Sequence, residues 1–253
     1  MKKSALFLAL SVLASGSAFA GTFTNGGFES GDLSGWTGGG GYWYDNSPLV
    51  QPVNPSNYTG GPSVNTLMTS PGTDSITGAS TVKYGNHAVR VNDRNNDYSV
   101  STISQSVTNY TQNGIFFAWN AVLEASHSVG TDGYFSLTLH DDTNNTDLVS
   151  RMYSSNGVLP GGWQTFGSWF TSGWVEESID LVALNAVGHN FTLTLLASDC
   201  NWGGHAGYVY LDGFGGTSGG GGDTGTTVPE PASLALLGLG LVGLSAARRR
   251  KSA

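Results

Sequence analysis

The central part of the chain alternates apolar and polar residues in short runs, separated by turns rich in glycine, asparagine and aspartate. This period of two places successive side chains on opposite faces and is typical of half-buried β-strands. No long segment has the 3.6-residue period of an amphipathic helix. The pattern predicts an all-β domain with strands at 88–91, 114–123, 133–140, 148–153, 163–170, 178–182, 190–197 and 206–214.

The N-terminus breaks this pattern with a continuous apolar run. Lys2 and Lys3 precede apolar residues 5–13, and the small residues Ala18 and Ala20 follow. This order is that of a secretory signal peptide. We therefore expect residues 1–20 to be cleaved between Ala20 and Gly21 on export.

The C-terminus contains a second uncharged run. Residues 232–247 carry no charge, and the basic residues 248–251 follow them. A helix of this length spans about 24 Å, a little short of a hydrocarbon core of about 30 Å. The basic end would stay cytoplasmic. The tail is predicted to be a single hydrophobic helix that serves as a membrane anchor or as a sorting tag.

Between the two ends lies enough chain for one domain, residues 21–214, with a single core. Residues 215–227 contain only Gly, Ser, Thr and Asp, and we expect them to form a flexible linker. Of the chain's 18 acidic residues only Glu230 lies in the tail. The other 17 face four basic residues, Lys83, Arg90, Arg94 and Arg151, which gives a net charge of −13. Nucleic acid is therefore excluded as a partner, because phosphate binding needs clustered Lys and Arg.

The tail resembles the PEP-CTERM sorting signals of Gram-negative bacteria, in which a Pro-Glu-Pro motif precedes a hydrophobic helix and an arginine-rich end. Here the motif is Val228-Pro229-Glu230-Pro231. The resemblance implies processing near the motif by an exosortase. The protein would be held in the inner membrane by its helix before processing and would then reach the cell surface or the extracellular matrix. A plain membrane anchor is the alternative.

Three segments of the domain resemble galactose-binding-like jelly rolls, a group that includes many carbohydrate-binding modules. They are 25–36 (NGGFESGDLSGW), 85–93 (GNHAVRVND) and 208–212 (YVYLD). The resemblance implies a jelly-roll β-sandwich with a structural calcium where the first and last strands meet. Glu29 and Asp212 match the usual carboxylate ligands, and a hard cation prefers such oxygens. The alternative is that Glu29 is a turn residue and Asp212 caps a strand end.

The second half of the domain is similar in places to adhesion-type bacterial surface proteins. The shared segments contain His127, Asp199, Cys200 and His205. Such side chains bind a transition metal when a fold brings them together, and otherwise they order loops by hydrogen bonding. The spacing does not decide between these roles. Cys200 is the only cysteine, which excludes an intramolecular disulfide.

Aromatic residues supply a candidate ligand site. Tyr42, Trp43 and Tyr44 begin a polar, proline-rich segment that extends to Pro71, and Trp202 lies between two predicted strands. Exposed rings stack on sugar faces, whereas the alternative is that they pack over the open end of the core.

No motif of a hydrolase, metalloprotease or nucleotide-binding enzyme is present in the sequence. The hypothesis is an exported, non-catalytic carbohydrate-binding or adhesion module of the extracellular polysaccharide matrix of a biofilm. A structural matrix protein that assembles with itself is the alternative. A secreted hydrolase would require a long-range carboxylate pair such as Glu124 with Asp199.

Overall fold

The computed structural model describes residues 21–42, 54–58, 65–128 and 131–216. In these ranges the chain forms twelve β-strands and one short 3-10 turn, Pro55–Tyr58. The strands are β1 (Thr37–Tyr42), β2 (Leu67–Thr69), β3 (Ala88–Val91), β4 (Ser99–Val107), β5 (Gly114–Glu124), β6 (Tyr134–Asp141), β7 (Thr146–Ser154), β8 (Gln164–Phe166), β9 (Trp169–Thr171), β10 (Val175–Asp180), β11 (Phe191–Ser198) and β12 (Gly207–Gly216).

The strands form two antiparallel sheets. The first has the order β1-β4-β11-β6-β7, and the second has the order β2-β3-β12-β5-β9-β8. In the second sheet β10 also pairs with β5, so that β9 and β10 occupy successive halves of one edge of that strand. Two packed sheets with these crossovers make the predicted jelly-roll β-sandwich.

The core lies between the sheets and follows from the alternation in the sequence. In β5, for example, Ile115, Phe117 and Trp119 belong to the main core cluster, whereas Val122 lies on the outer face. Trp119 packs across the interface on Phe135 of β6, with ring centroids 5.0 Å apart. Burial of such rings is the main favourable contribution to the stability of a sandwich.

The outer face of the second sheet is covered by the segment that follows β2. The hydroxyls of Tyr208 and Tyr210 both donate to Asp74, at 2.8 Å each. Trp174 packs against the same tyrosines and donates its indole N–H to the carbonyl of Ser80. These rings form a small second core and are not available to a ligand.

Most of the predicted strands are confirmed, and two differences have clear causes. The predicted strand at 163–170 is a hairpin, β8 and β9, whose turn places Gly167 at a φ of +64°. Strand β4 was missed because polar residues, Ser99, Ser101 and Gln105, alternate with its outward positions and are buried. The Gln105 amide is satisfied by the backbone of Thr24 and Gly35.

The predicted signal peptide, the C-terminal helix at 232–247 and its basic end lie outside the described residues. Strand β12 includes Gly215 and Gly216, which the sequence analysis assigned to the linker. Within the described ranges, none of the helical segments has the length and hydropathy needed to cross a membrane.

Candidate functional site: the aromatic end of the sandwich

The exposed aromatic side chains of the described residues gather at one end of the sandwich. Trp202 is 57% exposed, and Tyr42, Tyr98 and Phe166 are each 36–38% exposed. The other large apolar side chains with comparable exposure are not aromatic: Leu67, Met152, Val158, Val182, Leu184 and Val187. We call this end, formed by Tyr42, loop 92–98, residues 125–128, turn 166–168 and turn 199–206, the aromatic end.

Backbone pairing brings these elements together. Tyr42 lies opposite Ser99 at the start of β4, and the amide of Asp199 donates to the carbonyl of Ser99. On the other sheet, the amide of Glu124 donates to the carbonyl of Ala206, next to the turn that carries Trp202. The amide of Ala125 donates to the carbonyl of Ser168, in the turn of the β8–β9 hairpin.

The structure thus places two of the predicted ligand-binding residues, Tyr42 and Trp202, at the same end of the molecule. Trp43 and Tyr44 follow Tyr42 directly but lie outside the described residues. Contact of these four residues with a ligand stays a prediction.

Sequence reasoning missed Tyr98 and Phe166. Phe166 was assigned to the interior of one long strand, but it begins the hairpin turn. Tyr98 has a φ of +67° and packs against the turn of Trp202, where a Cβ on Gly203 would collide with the Tyr98 hydroxyl. Tyr98 follows the polar run Asn95–Asp97, and a lone aromatic residue after such a run is the only signal in the sequence.

The buried carboxylate of Asp199 connects several segments of the aromatic end by hydrogen bonds. Its Oδ1 accepts from the Asn92 side chain (2.9 Å) and from the Gly207 amide (3.4 Å). Its Oδ2 accepts from the amides of Asp97 (3.1 Å) and Ser99 (3.0 Å) and from the Ser99 hydroxyl (3.1 Å). Burial raises the pKa of Asp199 to about 8, although the Ser99 amide partly offsets that shift.

The structure brings His127, Cys200 and His205 together at the same end, with their ligand atoms within 4.8 Å of one another. Asp199, which the sequence grouped with them, is engaged on the other side by Asn92 and Ser99. Cys200 is buried and carries a free thiol.

The two carboxylates predicted to hold calcium, Glu29 and Asp212, both accept hydrogen bonds from one short segment, residues 83–87. Asp212 Oδ2 accepts from the amides of Lys83 and Tyr84, at 2.8 Å each. Glu29 Oε1 accepts from the amides of Asn86 and His87, at 3.0 Å each. A Cβ on Gly85, between these pairs, would collide with the Glu29 carboxylate.

Glu29 lies in a loop, residues 25–36, that is closed by hydrogen bonds within the loop itself. The Asn25 side chain donates to the carbonyl of Asp32 (2.8 Å) and accepts from the amide of Ser30 (3.2 Å). The indole N–H of Trp36 donates to the carbonyl of Asn25 (3.1 Å). These bonds explain why the segment 25–36 has asparagine and tryptophan at its two ends.

Asp212 is fully buried, and its Oδ1 accepts no hydrogen bond. Burial raises the pKa of Asp212 to about 7, the amides of Tyr84 and Lys83 offset part of that shift, and the charge of Glu29 adds to it. A buried oxygen without a donor, close to a second carboxylate, suits a hard divalent cation. The residues present therefore fit calcium.

Comparison with known proteins first concerns the tail. Residues 227–251 match the PEP-CTERM protein-sorting motif, which confirms that prediction, although these residues lie outside the described ranges. The motif indicates an exported protein that an exosortase sorts. No curated protein sequence is significantly similar to the chain.

Several solved structures are distantly similar to the domain. TmCBM61, solved in complex with β-1,4-galactotriose, is 13% identical over 76% of this chain and 95% of that chain, with a TM-score of 0.38. The module CBM27-1 of Caldicellulosiruptor saccharolyticus, in complex with mannohexaose, is 11% identical over 75% and 93%, with a TM-score of 0.38. A cleaved adhesin domain of Lys-gingipain from Porphyromonas gingivalis is 12% identical over 74% and 92%, with a TM-score of 0.33. These likenesses concern the β-sandwich fold alone.

Proposed function

We propose that this exported protein is a non-catalytic module that binds a neutral glycan at its aromatic end. The observation that carries the proposal is the gathering of Tyr42, Tyr98, Phe166 and Trp202, the most exposed aromatic side chains of the described residues, at one end. Exposed aromatic faces stack on the C–H faces of sugars, and this stacking needs no charge on the ligand.

The charge of the domain narrows the class of glycan. Seventeen acidic residues against four basic ones between residues 21 and 229 leave a strongly negative surface. A polyanionic polysaccharide would be repelled over a Debye length of about 8 Å at physiological ionic strength. The exposed loop residues Asn95 and Asp97 and the half-buried Asp93 border the aromatic end and offer acceptors and donors to neutral hydroxyls.

The carboxylates at this end support a non-catalytic role. Glu124, the one considered with Asp199 for hydrolysis, accepts from the amide of Ala206 at 3.1 Å. Asp199 is buried and accepts five hydrogen bonds. A glycosidase needs two carboxyl groups that flank the scissile bond. These two are instead occupied in holding loops.

The location proposed for this module follows from its tail. An exosortase would process the chain near Val228-Pro229-Glu230-Pro231 and transfer the module from the inner membrane to the cell surface or to the polysaccharide matrix of a biofilm. Binding to a neutral matrix glycan would then retain it there.

We also propose that Glu29 and Asp212 hold a structural calcium. Its support is the unpaired, buried Asp212 Oδ1 close to a second carboxylate. Calcium would neutralise both charges and fix segment 83–87 between the first loop of the domain and strand β12. It would thus act on stability and not on glycan recognition.

A second candidate function, self-assembly into a structural matrix, is favoured by a different observation. At the end opposite to the aromatic end, Val182, Leu184 and Val187 are 55%, 50% and 41% exposed within six residues. Such a cluster of apolar side chains is a candidate contact between copies of the chain.

The experiment that tests the glycan proposal is retention of the exported chain on a panel of neutral and acidic polysaccharides, in calcium and in chelator. We expect retention on a neutral polysaccharide, and we expect Trp202→Ala to abolish it without a change in thermal stability. Leu184→Ala, which removes a side chain of similar exposure at the opposite end, is the matched control and should bind normally. Retention that survives both Trp202→Ala and Tyr98→Ala would contradict the proposed site.

The same variants separate the second candidate. If sedimentation shows concentration-dependent assembly that Leu184→Ala weakens, and no polysaccharide retains the chain, the structural function is correct and the glycan proposal is wrong.

A further inference from the structure

Three side chains at the aromatic end belong to none of the hydrophobic clusters and are not among the aromatic residues of the proposed glycan contact. His127 follows β5, and Cys200 and His205 lie in the turn between β11 and β12. Their ligand atoms, one ring nitrogen from each histidine and the cysteine sulfur, all lie within 4.8 Å of one another. These are the side chains that borderline and soft divalent ions prefer.

The distance between Cys200 and His205 matches that of two ligands in a tetrahedral site. Cys200 Sγ lies 3.7 Å from His205 Nδ1. Two ligands of a tetrahedral zinc ion, with bonds of about 2.3 Å to sulfur and 2.0–2.1 Å to nitrogen, are about 3.6 Å apart. The rings of His127 and His205 are nearly perpendicular at 86°, with centroids 4.8 Å apart. A change in the side-chain torsion angles of the exposed His127 would bring its ring nitrogen into the set.

The backbone holds Cys200 and His205 together without an ion. The amide of Cys200 donates to the carbonyl of His205 at 2.9 Å, which closes the turn. Gly203 and Gly204 have φ values of +77° and +92°, a conformation that glycine adopts without strain. Ala206 is hydrogen-bonded to both the backbone and the side chain of Glu124, three residues before His127. The three side chains are therefore preorganised by two connected loops.

The hydrogen bonds that an ion would displace are weak. Ser126 Oγ lies 3.3 Å from His205 Nδ1, beyond the usual range for a hydroxyl, and it has a second partner in the carbonyl of Thr131 at 3.2 Å. The Cys200 thiol donates to the carbonyl of Gly203 at 3.2 Å, and a thiol is a weak donor. Loss of these contacts would cost little.

We propose that His127, Cys200 and His205 bind one zinc ion. The burial of the ligands is graded, because Cys200 is buried, His205 is half-buried and His127 is exposed. A fourth coordination position would therefore face solvent, as in zinc sites with three protein ligands. The zinc site is distinct from the calcium pair, whose ligands are hard carboxylate oxygens.

Zinc at this position would fix the part of the surface that carries Trp202. The Trp202 ring lies 5.8 Å from the ring of His127, and the ion would join the loop after β5 to the turn that contains Trp202. This consequence concerns the glycan proposal, but the zinc site does not depend on it. Metal coordination can therefore be tested independently of glycan binding.

The experiment is a cobalt(II) titration of the exported chain, purified without a histidine tag and freed of metal by a chelator. We expect one equivalent of cobalt to give the near-ultraviolet charge-transfer band of a thiolate ligand and the visible bands of a tetrahedral ion. Zinc should then displace the cobalt. A spectrum without the thiolate band, or one identical to that of aqueous cobalt, would overturn the proposal.

Variants locate the ion. Cys200→Ser should abolish the charge-transfer band. His127→Gln changes an exposed side chain and so cannot unfold the domain; we expect it to weaken zinc affinity by at least about tenfold to a hundredfold. His140→Gln removes another surface histidine, on β6, and is the matched control that should leave the titration unchanged. An equal loss in His127→Gln and His140→Gln would show nonspecific surface binding and would refute the site.

Discussion

Asp199 lies in the turn before β12 and Asp212 lies within that strand, and the two carboxylates are buried to a similar degree but have different surroundings. Both oxygens of Asp199 accept hydrogen bonds, from Asn92, Asp97, Ser99 and Gly207. Asp212 accepts two through Oδ2 and none through Oδ1. The full set of donors gives Asp199 a structural role, whereas the unpaired oxygen and the nearby Glu29 are the basis of our proposal that Asp212 binds a cation.

The largest expected effect is that of Asp199→Ala. The variant leaves buried N–H donors of Asn92, Ser99 and Gly207 without an acceptor, so we expect the free energy of unfolding to fall by about 3–5 kcal/mol. Urea unfolding followed by tryptophan fluorescence measures this change. Asp147→Ala, at an exposed carboxylate on β7 that pairs with His140, is the control and should change stability by less than about 1 kcal/mol. A loss below about 1 kcal/mol in Asp199→Ala would show that water satisfies these donors.

The second prediction concerns Asp212→Ala. In chelator we expect a loss of about 2 kcal/mol, because the amides of Lys83 and Tyr84 lose their acceptor. Calcium should stabilise the wild-type protein by about 2.7 kcal/mol at a concentration a hundredfold above its Kd, and the variant not at all. Thermal unfolding in calcium and in chelator measures both effects. If the wild-type Tm is the same in the two buffers, no calcium binds at this site.

The third prediction is a pH dependence that separates the two residues. In the folded protein the pKa of Asp199 is raised to about 8 and that of Asp212 to about 7, so the folded state holds these protons more tightly than the unfolded state. Stability in chelator should therefore fall as the pH rises from about 4 to about 8. Calcium should reduce the slope, because it stabilises the ionised form of Asp212 but not that of Asp199.

Unfolding measured at several pH values in both buffers tests this prediction. Groups away from the site, such as His140, contribute equally in the two buffers and cancel in the difference. A slope that calcium leaves unchanged would contradict the assignment of Asp212 as a ligand. Stability that rises between pH 5 and pH 8 in chelator would contradict both raised pKa values.

The smallest expected effect is that of Glu29→Gln. The amide oxygen of glutamine still accepts from Asn86 and His87, and loss of the charge removes the repulsion of Asp212. In chelator the variant should thus be as stable as the wild type or slightly more stable. In calcium it should be less stable, because a charged ligand is lost. Thermal unfolding of the variant and the wild type, measured in chelator and in calcium, tests whether the stability difference changes sign.

Asp147→Asn, on β7, also removes one negative charge at an exposed position, in the other sheet, and serves as the control for that comparison. We expect its effect to be the same with and without calcium. A change in Glu29→Gln that is equal in both buffers would mean that Glu29 only closes the loop at residues 85–87.

The fold could be predicted where a strand has one apolar face. Strands β5, β6, β11 and β12 were found because their inward residues are apolar. Strand β1 is mostly glycine, and the inward residues Ser99, Ser101 and Gln105 of β4 are polar. These strands are held by hydrogen bonds with residues that are distant in the sequence. The local alternation of apolar and polar residues therefore does not indicate them.

The residues of the candidate site could be predicted from the sequence only in part. Trp202 and Tyr42 are predictable because aromatic residues in polar segments tend to be exposed, and Glu29 and Asp212 are predictable from the segments that resemble galactose-binding-like jelly rolls. Tyr98 and Phe166 were missed, since exposure there depends on a positive φ and on a hairpin turn.

The sequence by itself determined the sorting motif of the tail, the all-β class and the residue types available for each kind of site, because these depend on local composition and on the period of two. Only the tertiary structure decided which of these residues meet. His127 is more than 70 positions from Cys200 in the sequence. Asp212 is 129 positions from Lys83, whose amide donates a hydrogen bond to it. Strand pairing in a sandwich is long-range, so which loops share an end is decided by the order of strands in the two sheets.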